Sequence, residues 1–222
     1  MARNHLSILL FAAALLLAAA PARADYIDLL DSAWSPANNQ ASHTVIDVLP
    51  GLNLTITAGG GSGRLWWDGA EGFGVRGGLN SDEIDYGEVL SLTFSQPVTL
   101  NSFKLFDLFK ERWGHGSYYR EKGYAVLDGA ATVHFQADSG QIYPGWDLPG
   151  DGVLVVGVGT GPVTQIQFYA DYSSNLFKRN NDYQVGGLDV TPSGSGVVPE
   201  PASLLLTASA LGLGAWLRRR RA

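Results

Sequence analysis

The central part of this chain predicts an all-β domain, an antiparallel β-sandwich of jelly-roll type, and three observations carry that expectation. Apolar residues recur with period 2, as in Leu52-Asn53-Leu54-Thr55-Ile56-Thr57, and no stretch sustains the i, i+3, i+4 spacing of an amphipathic helix. Glycine reaches 28 of the 222 residues and supplies the turns and bulges that many short strands need. No crossover helix and no repeat of fixed period is present, which argues against a parallel sheet, a β-helix or a propeller.

The elements follow in order. Strands are expected at 43–49 and 52–57, and Trp66-Trp67 lies in a strand, where neighbouring side chains point to opposite faces: one buried, the other available to a ligand. Runs at 89–94 and 98–108 are separated by Ser95-Gln96-Pro97, read as a turn. Within the second run the apolar parity changes from Val98 and Leu100 to Phe103 and Leu105, so a bulge is expected near Asn101-Ser102. Further strands are expected at 123–128, 131–136, 153–158, 163–170 and 183–190, the last with a bulge at Gly186-Gly187. The stretch Arg112-Trp113-Gly114-His115-Gly116-Ser117-Tyr118-Tyr119-Arg120 reads as a polar, glycine-punctuated binding loop or as a long hairpin connection.

Both ends read as processing segments. Arg3 opens the chain with positive charge, residues 6–20 are apolar or small apart from Ser7, and Ala22-Arg23-Ala24 is an A-x-A cleavage site, so residues 1–24 are expected to be a signal peptide read by the Sec machinery and signal peptidase. The ectodomain is then 25–191, followed by a Ser/Gly linker at 192–197 and a terminal segment at 198–222. In that segment Val198-Pro199-Glu200-Pro201 precedes a mainly apolar run at 202–217 and then Arg218, Arg219, Arg220 and Arg221. Those 16 residues make a helix of about 24 Å, slightly short of a roughly 30 Å hydrocarbon core, which Trp216 and snorkelling arginines extend. The four arginines hold their end in the cytoplasm and place the domain on the far side, the same topology the signal peptide requires.

Val198-Pro199-Glu200-Pro201-Ala202-Ser203, with the apolar helix and arginine cluster, resembles the PEP-CTERM sorting signal of Gram-negative, exopolysaccharide-producing bacteria. The resemblance implies recognition of Pro199, Glu200 and Pro201 by an exosortase, a membrane-embedded cysteine transpeptidase, and removal of the helix and arginine tail. It implies an inner-membrane precursor with a periplasmic domain, then a place at the cell surface or in the extracellular matrix. Phe73-Gly74-Val75, Gly77-Gly78, Asp82-Glu83-Ile84-Asp85, Glu88-Val89-Leu90, Phe94 and Pro97-Val98-Thr99-Leu100 are similar to the ectodomain often found ahead of this tail, which bears on fold rather than function.

Charge and cysteine narrow the function. Between residues 25 and 196, nine basic residues stand against twenty acidic ones, a net −11. Such a domain repels nucleic acid and attracts divalent cations. With no cysteine, the fold has no disulfides and no thiolate or zinc–cysteine chemistry.

Asp82-Glu83-Ile84-Asp85 and Glu88 put four carboxylates into seven residues ahead of a strand. Asp82 and Asp85, joined by Asp189, form a candidate structural calcium site; the other reading is a solvated acidic turn, with Glu88 pointing to solvent. Aromatic residues are the second candidate set. Trp67, Trp113 and Tyr118 are candidates for stacking on exopolysaccharide sugars, against the reading that most of the aromatics fill the core or brace loops. His134 reads as an ordinary strand-face residue. No G-x-S-x-G elbow, H-E-x-x-H helix or phosphate loop occurs, so no catalytic residue is assigned and a non-catalytic adhesive, carbohydrate-binding or structural role leads. The alternative is a carbohydrate-active enzyme pairing Asp82 or Asp85 with Asp107.

Overall fold

The computed structural model describes residues 24–77, 82–113, 117–137, 152–172 and 181–193, with only the backbone path described at 110–113 and 117–119. They belong to a compact unit, Ala24–Gly194. It comprises β1 (Asp25–Asp28), a 3-10 helix (Ser32–Ala37), β2 (Ser42–Leu49), β3 (Leu52–Gly59), β4 (Arg64–Asp68), β5 (Gly72–Arg76) and β6 (Val89–Phe106). There follow β7 (Lys110–Trp113), β8 (Ser117–Arg120), β9 (Lys122–Leu127), β10 (Ala131–Gln136), β11 (Leu154–Ala170) and β12 (Gln184–Pro192). The chain is all-β, and every pairing among the described strands is antiparallel.

Two long strands organise the sheet. Along one side of β6 runs β11; the other side is shared, with β3 on residues 89–94 and β12 on residues 98–106. From β6–β11 one wing extends through β9 to β10 and through β3 to β2, while the other extends through β12 to β1 and to β5–β4. The expected turn at Ser95-Gln96-Pro97 is therefore corrected: these residues lie inside β6, where its partner changes from β3 to β12. Proline is tolerated there because it interrupts no regular ladder. Likewise 153–158 and 163–170 are one strand, β11, whose register shifts between Gly157 and Gln165 take the place of a turn.

Both expected bulges are present. Asp189 faces Ser102 and Val190 faces Leu100, leaving Asn101 as the extra residue of β6; Val185 faces Leu105 and Gly187 faces Lys104, leaving Gly186 as the extra residue of β12. Each bulge resets the parity so that Leu100, Phe103, Leu105, Val185 and Leu188 are all buried. In place of the loop or hairpin connection expected at 112–120, residues 112–113 and 117–120 belong to β7 and β8, which pair as a separate two-stranded sheet.

One apolar core joins the wings. Phe103 packs edge-on against Phe135 and Phe168, and Phe135 against Tyr183. Trp34 is buried edge-on against Phe73 and donates its indole N–H to the Asp28 carbonyl at 3.0 Å. Close packing of β9 requires Gly123: a methyl there would stand 2.6 Å from the Tyr169 carbonyl oxygen and 2.9 Å from the rings of Phe135 and Tyr183.

Candidate functional site

Strict alternation in the first wing gives a buried apolar face and an outer face of different chemistry. Leu54, Ile56, Leu90, Leu92, Ala125, Leu127, Ile166 and Phe168 point inward and are buried. Their neighbours point outward and align in rows set by the register. One row crosses six strands: Thr132, Val126, Gln167, Ser91, Thr57 and Ser42. The next is Gln165, Thr93, Thr55 and Thr44. These side chains bond to one another: Ser42 to Thr57 at 3.0 Å, Thr44 to Thr55 at 2.8 Å, and Gln167 to Ser91 at 3.4 Å. In a domain of net −11, none of the ten residues carries charge.

Aromatic residues form a third row. His134 on β10, Tyr124 on β9 and Tyr169 on β11 are direct register partners. The two tyrosine rings stack at 5.1 Å with 13° between planes, and His134 leans on Tyr124 at 5.8 Å. Beside this row lies an open depression of about 320 Å³ lined by Lys122, Gly123, His134, Phe135, Gln136 and Asp171, with Lys122 and Asp171 paired at 3.2 Å. Under it Tyr183 is fully buried; burial first and then Tyr124 keep its hydroxyl well above the ordinary tyrosine range. Rings, hydroxyls and amides thus share one surface, the combination that stacks on and hydrogen-bonds to sugars.

The residues singled out from sequence are distributed elsewhere. Trp67 is half-buried against the core, and its N–H donates to the Leu29 carbonyl at 2.8 Å. Trp66 is half-buried on the other face, under the Arg76 guanidinium at 4.3 Å, so neither ring of the pair is a freely exposed platform. Trp113 and Tyr118 occupy β7 and β8, where only the backbone is described. Asp85 is buried, Asp82 lies within the electrostatic reach of Glu71 and Asp107, and Asp189 accepts from the Asn101 amide at 3.2 Å. Among the described residues no three His, Cys, Asp or Glu side chains converge as a metal-holding group. Glu88 does not point to solvent: it is 3% exposed and accepts from the Asp85 backbone N–H at 2.9 Å. Ala24 is the first described residue, exposed ahead of β1. Ala22, Pro199, Glu200, Pro201, Arg218, Arg219, Arg220 and Arg221 lie outside the described residues, as does the 202–217 segment; among the described residues no helix is long and apolar enough to cross a membrane.

The carboxylates do form one unforeseen pair. Glu71 lies within the electrostatic reach of Asp107, and the Gln184 amide donates to Glu71 at 2.9 Å. Burial first, then the hydrogen bond and charge of Asp107, then Asp68 and Asp82, raise the Glu71 carboxyl to about 7. Burial is also the main cause that raises Asp107; the bond to Glu71 opposes it, and the charges of Asp182, Asp68 and Asp82 add to it.

Sequence reasoning missed the aromatic row because its members are 10 and 35 residues apart and meet only through strand order. Period-2 parity does place Tyr124 and Tyr169 opposite the buried residues of their strands, and that was the available signal. No family model matches this chain, and neither a curated protein nor a solved structure matches it.

Proposed function

We propose that this chain is an exported surface or extracellular-matrix protein with a non-catalytic, carbohydrate-binding role, and that it binds exopolysaccharide through the outer face of the β10–β9–β11–β6–β3–β2 wing. The observation that carries the binding role is the in-register row His134–Tyr124–Tyr169 beside an uncharged hydroxyl and amide ladder. Export rests on the three-part N-terminal pattern, and sorting on the Pro199-Glu200-Pro201 motif with its apolar run and arginine cluster. On this reading Sec machinery and signal peptidase release residues 25–222 to the periplasmic side. The tail then holds the precursor in the inner membrane until an exosortase acts on it. The architecture that goes with this reading is a sandwich of jelly-roll type; the partner change in β6 and the register shifts in β11 support it, as places where a long sheet bends over on itself.

The test is co-sedimentation of the Ala24–Gly194 unit with the source organism's own exopolysaccharide, with calcium and again with chelator. Binding is expected to fall at least tenfold in Tyr124→Ala or Tyr169→Ala, about 1.4 kcal/mol, with the melting transition still cooperative. Unchanged pelleting of both variants sinks the assignment of the face. Pelleting that needs calcium brings a cation held by the acidic 82–88 segment into the reading, and equal pelleting in chelator leaves the uncharged face sufficient.

A further inference from the structure

Gln184, the first residue of β12, is a buried amide with half of its hydrogen bonding unmet. Its side chain is fully buried, its Nε2 donates to the Glu71 carboxylate at 2.9 Å, and its Oε1 has no partner. Turning the amide over would leave an N–H donor unpartnered in place of the oxygen, so rotation does not remove the deficit. Three strand ends meet at this amide. Glu71 precedes β5, Asp107 follows β6, and β12 pairs with both: Val185 faces Phe73 and Gln184 faces Phe106. Glu71 and Asp107 are half-buried and therefore reachable from water, with Gln184 beneath them. The charges of Asp107, Asp68 and Asp82 act on Glu71, and those of Asp182, Asp68 and Asp82 act on Asp107. Asp68 is held there by accepting the Ala70 and Glu71 N–H groups, at 2.8 Å each. Among the described residues no lysine or arginine pairs with Glu71 or Asp107; Lys104 lies over the Phe106 ring at 4.5 Å instead.

From this juxtaposition we propose that Glu71, Asp107 and Oε1 of Gln184 hold a calcium ion, with water and backbone carbonyl oxygens completing its shell. The three groups are all acceptors, and what they lack is one positive partner. Calcium is matched to them because it takes six to eight oxygens from carboxylates, carbonyls and water in flexible geometry, whereas magnesium demands a near-ideal octahedron and gives up its water reluctantly. No third carboxylate converges on the pair among the described residues, and the amide oxygen takes that place. The Nε2–H bond to Glu71 supplies the orientation: it fixes the amide and the carboxylate relative to each other, as outer hydrogen bonds fix metal ligands. Bound there, the ion offsets the crowding of Asp68, Asp82 and Asp182 and ties the ends of β5, β6 and β12 together. The site is independent of the carbohydrate-binding reading and stands or falls without it.

The experiment follows thermal unfolding of the full-length protein at pH 8 in chelator, in calcium chloride and in magnesium chloride at equal ionic strength. Calcium at about a hundredfold excess over its dissociation constant is expected to raise Tm by roughly 5–10 °C above the value in chelator, and magnesium by much less. Protons compete for the same oxygens, so the calcium shift should shrink at pH 5. Glu71→Gln and Asp107→Asn each keep the shape and remove one charge, and asparagine tolerates the φ of +55° at position 107. Each is expected to weaken calcium binding, measured by titration calorimetry, at least tenfold. Gln184→Met fills a similar volume without the oxygen and should weaken it likewise; if that buried variant does not fold, the two half-buried carboxylate variants decide alone. Glu88→Gln, beyond the opposite end of β6, should respond to calcium as the parent does. Equal shifts in calcium and magnesium that persist in Glu71→Gln would mean general screening of the net −11 and would overturn the site. A response lost in Glu88→Gln but kept in Glu71→Gln would move the ion to the acidic 82–88 segment and overturn it as well, as would the absence of any calcium-dependent shift at pH 8.

Discussion

The outer face of the β10–β2 wing and the strand ends around β6 handle polarity in opposite ways. On the face, ten uncharged side chains in two rows bond partly to one another and remain open to water. At the strand ends, Glu88 just before β6 and Asp107 just after it are drawn inward, with Glu71 against Asp107. Among the described residues no ion pair reaches Glu71, Glu88 or Asp107. Burying a carboxylate without a cation is costly, so such groups hold their protons instead. The face therefore leaves its polarity open to solvent, where the proposed ligand would meet it, and the strand ends tie polarity to stability.

The largest contrast sits in two adjacent residues of β11. Phe168 is fully buried against Phe103, whereas Gln167 lies in the outer ladder. Phe168→Ala is expected to cost roughly 3–5 kcal/mol of unfolding free energy through lost burial and a cavity. Gln167→Ala should stay within about 0.5 kcal/mol, since it removes one long surface hydrogen bond. Urea denaturation of both variants checks the pair; comparable losses would mean that the outer ladder is part of the packed core and not a free face.

The next contrast is in pH. Burial is the main cause that raises Glu88 to about 7, with the charge of Asp85 adding and the Asp85 backbone N–H opposing. Glu71 is raised to about 7 as well. Between the ordinary value of 4.5 and about 7 the folded state holds more protons than the unfolded one, so stability falls as pH rises through that window. Glu88→Gln keeps an oxygen for the Asp85 N–H and removes the ionisation. It should flatten the decline and raise Tm at pH 8 by a few degrees, given about 2–4 °C per kcal/mol in a domain of this size. An unchanged slope in Glu88→Gln would assign the whole dependence to Glu71 and Asp107.

What could be read from sequence followed local physics. Alternation located β2, β3, β9, β10 and β12, and parity changes located the bulges at Asn101 and Gly186, because a strand with one buried face cannot change parity without an extra residue. Pro97 and the gap between 153–158 and 163–170 were misleading: read as breaks between strands, they mark a partner change inside β6 and register shifts inside β11. Glu71 gave no signal, since its raised pKa comes first from burial and then from Asp107, Asp68 and Asp82 in the folded state. Tryptophan drew attention for its size, but size favours burial, and Trp34 and Trp67 are used that way. The face proposed for the ligand is made instead of tyrosine and histidine, aligned by a strand order that sequence does not carry.

The smallest effect tests whether the corner of the face is held in place or merely sits there. Asp128 turns β9 into β10 with φ +47°, and one carboxylate oxygen accepts from the Thr164 N–H at 2.9 Å, the Thr164 hydroxyl at 2.8 Å and the Gln165 N–H at 2.8 Å. Slight burial pushes its pKa up, but the three bonds prevail and leave it below the ordinary 3.8. They pin the β9–β10 hairpin, and with it Tyr124 and His134, onto β11. Asp128→Ala should cost about 1 kcal/mol, modest because the site is exposed, and Asp128→Asn should recover most of it by keeping an acceptor and tolerating the left-handed backbone. The sign with pH is opposite to that of Glu88: this contribution is present above the unfolded pKa and is lost as pH falls through the lowered folded value. Tm differences between parent and Asp128→Ala, measured at pH 7 and pH 3, should therefore shrink on acidification. A difference that persists at pH 3 would place the loss in the backbone turn and not in the carboxylate's bonds to β11.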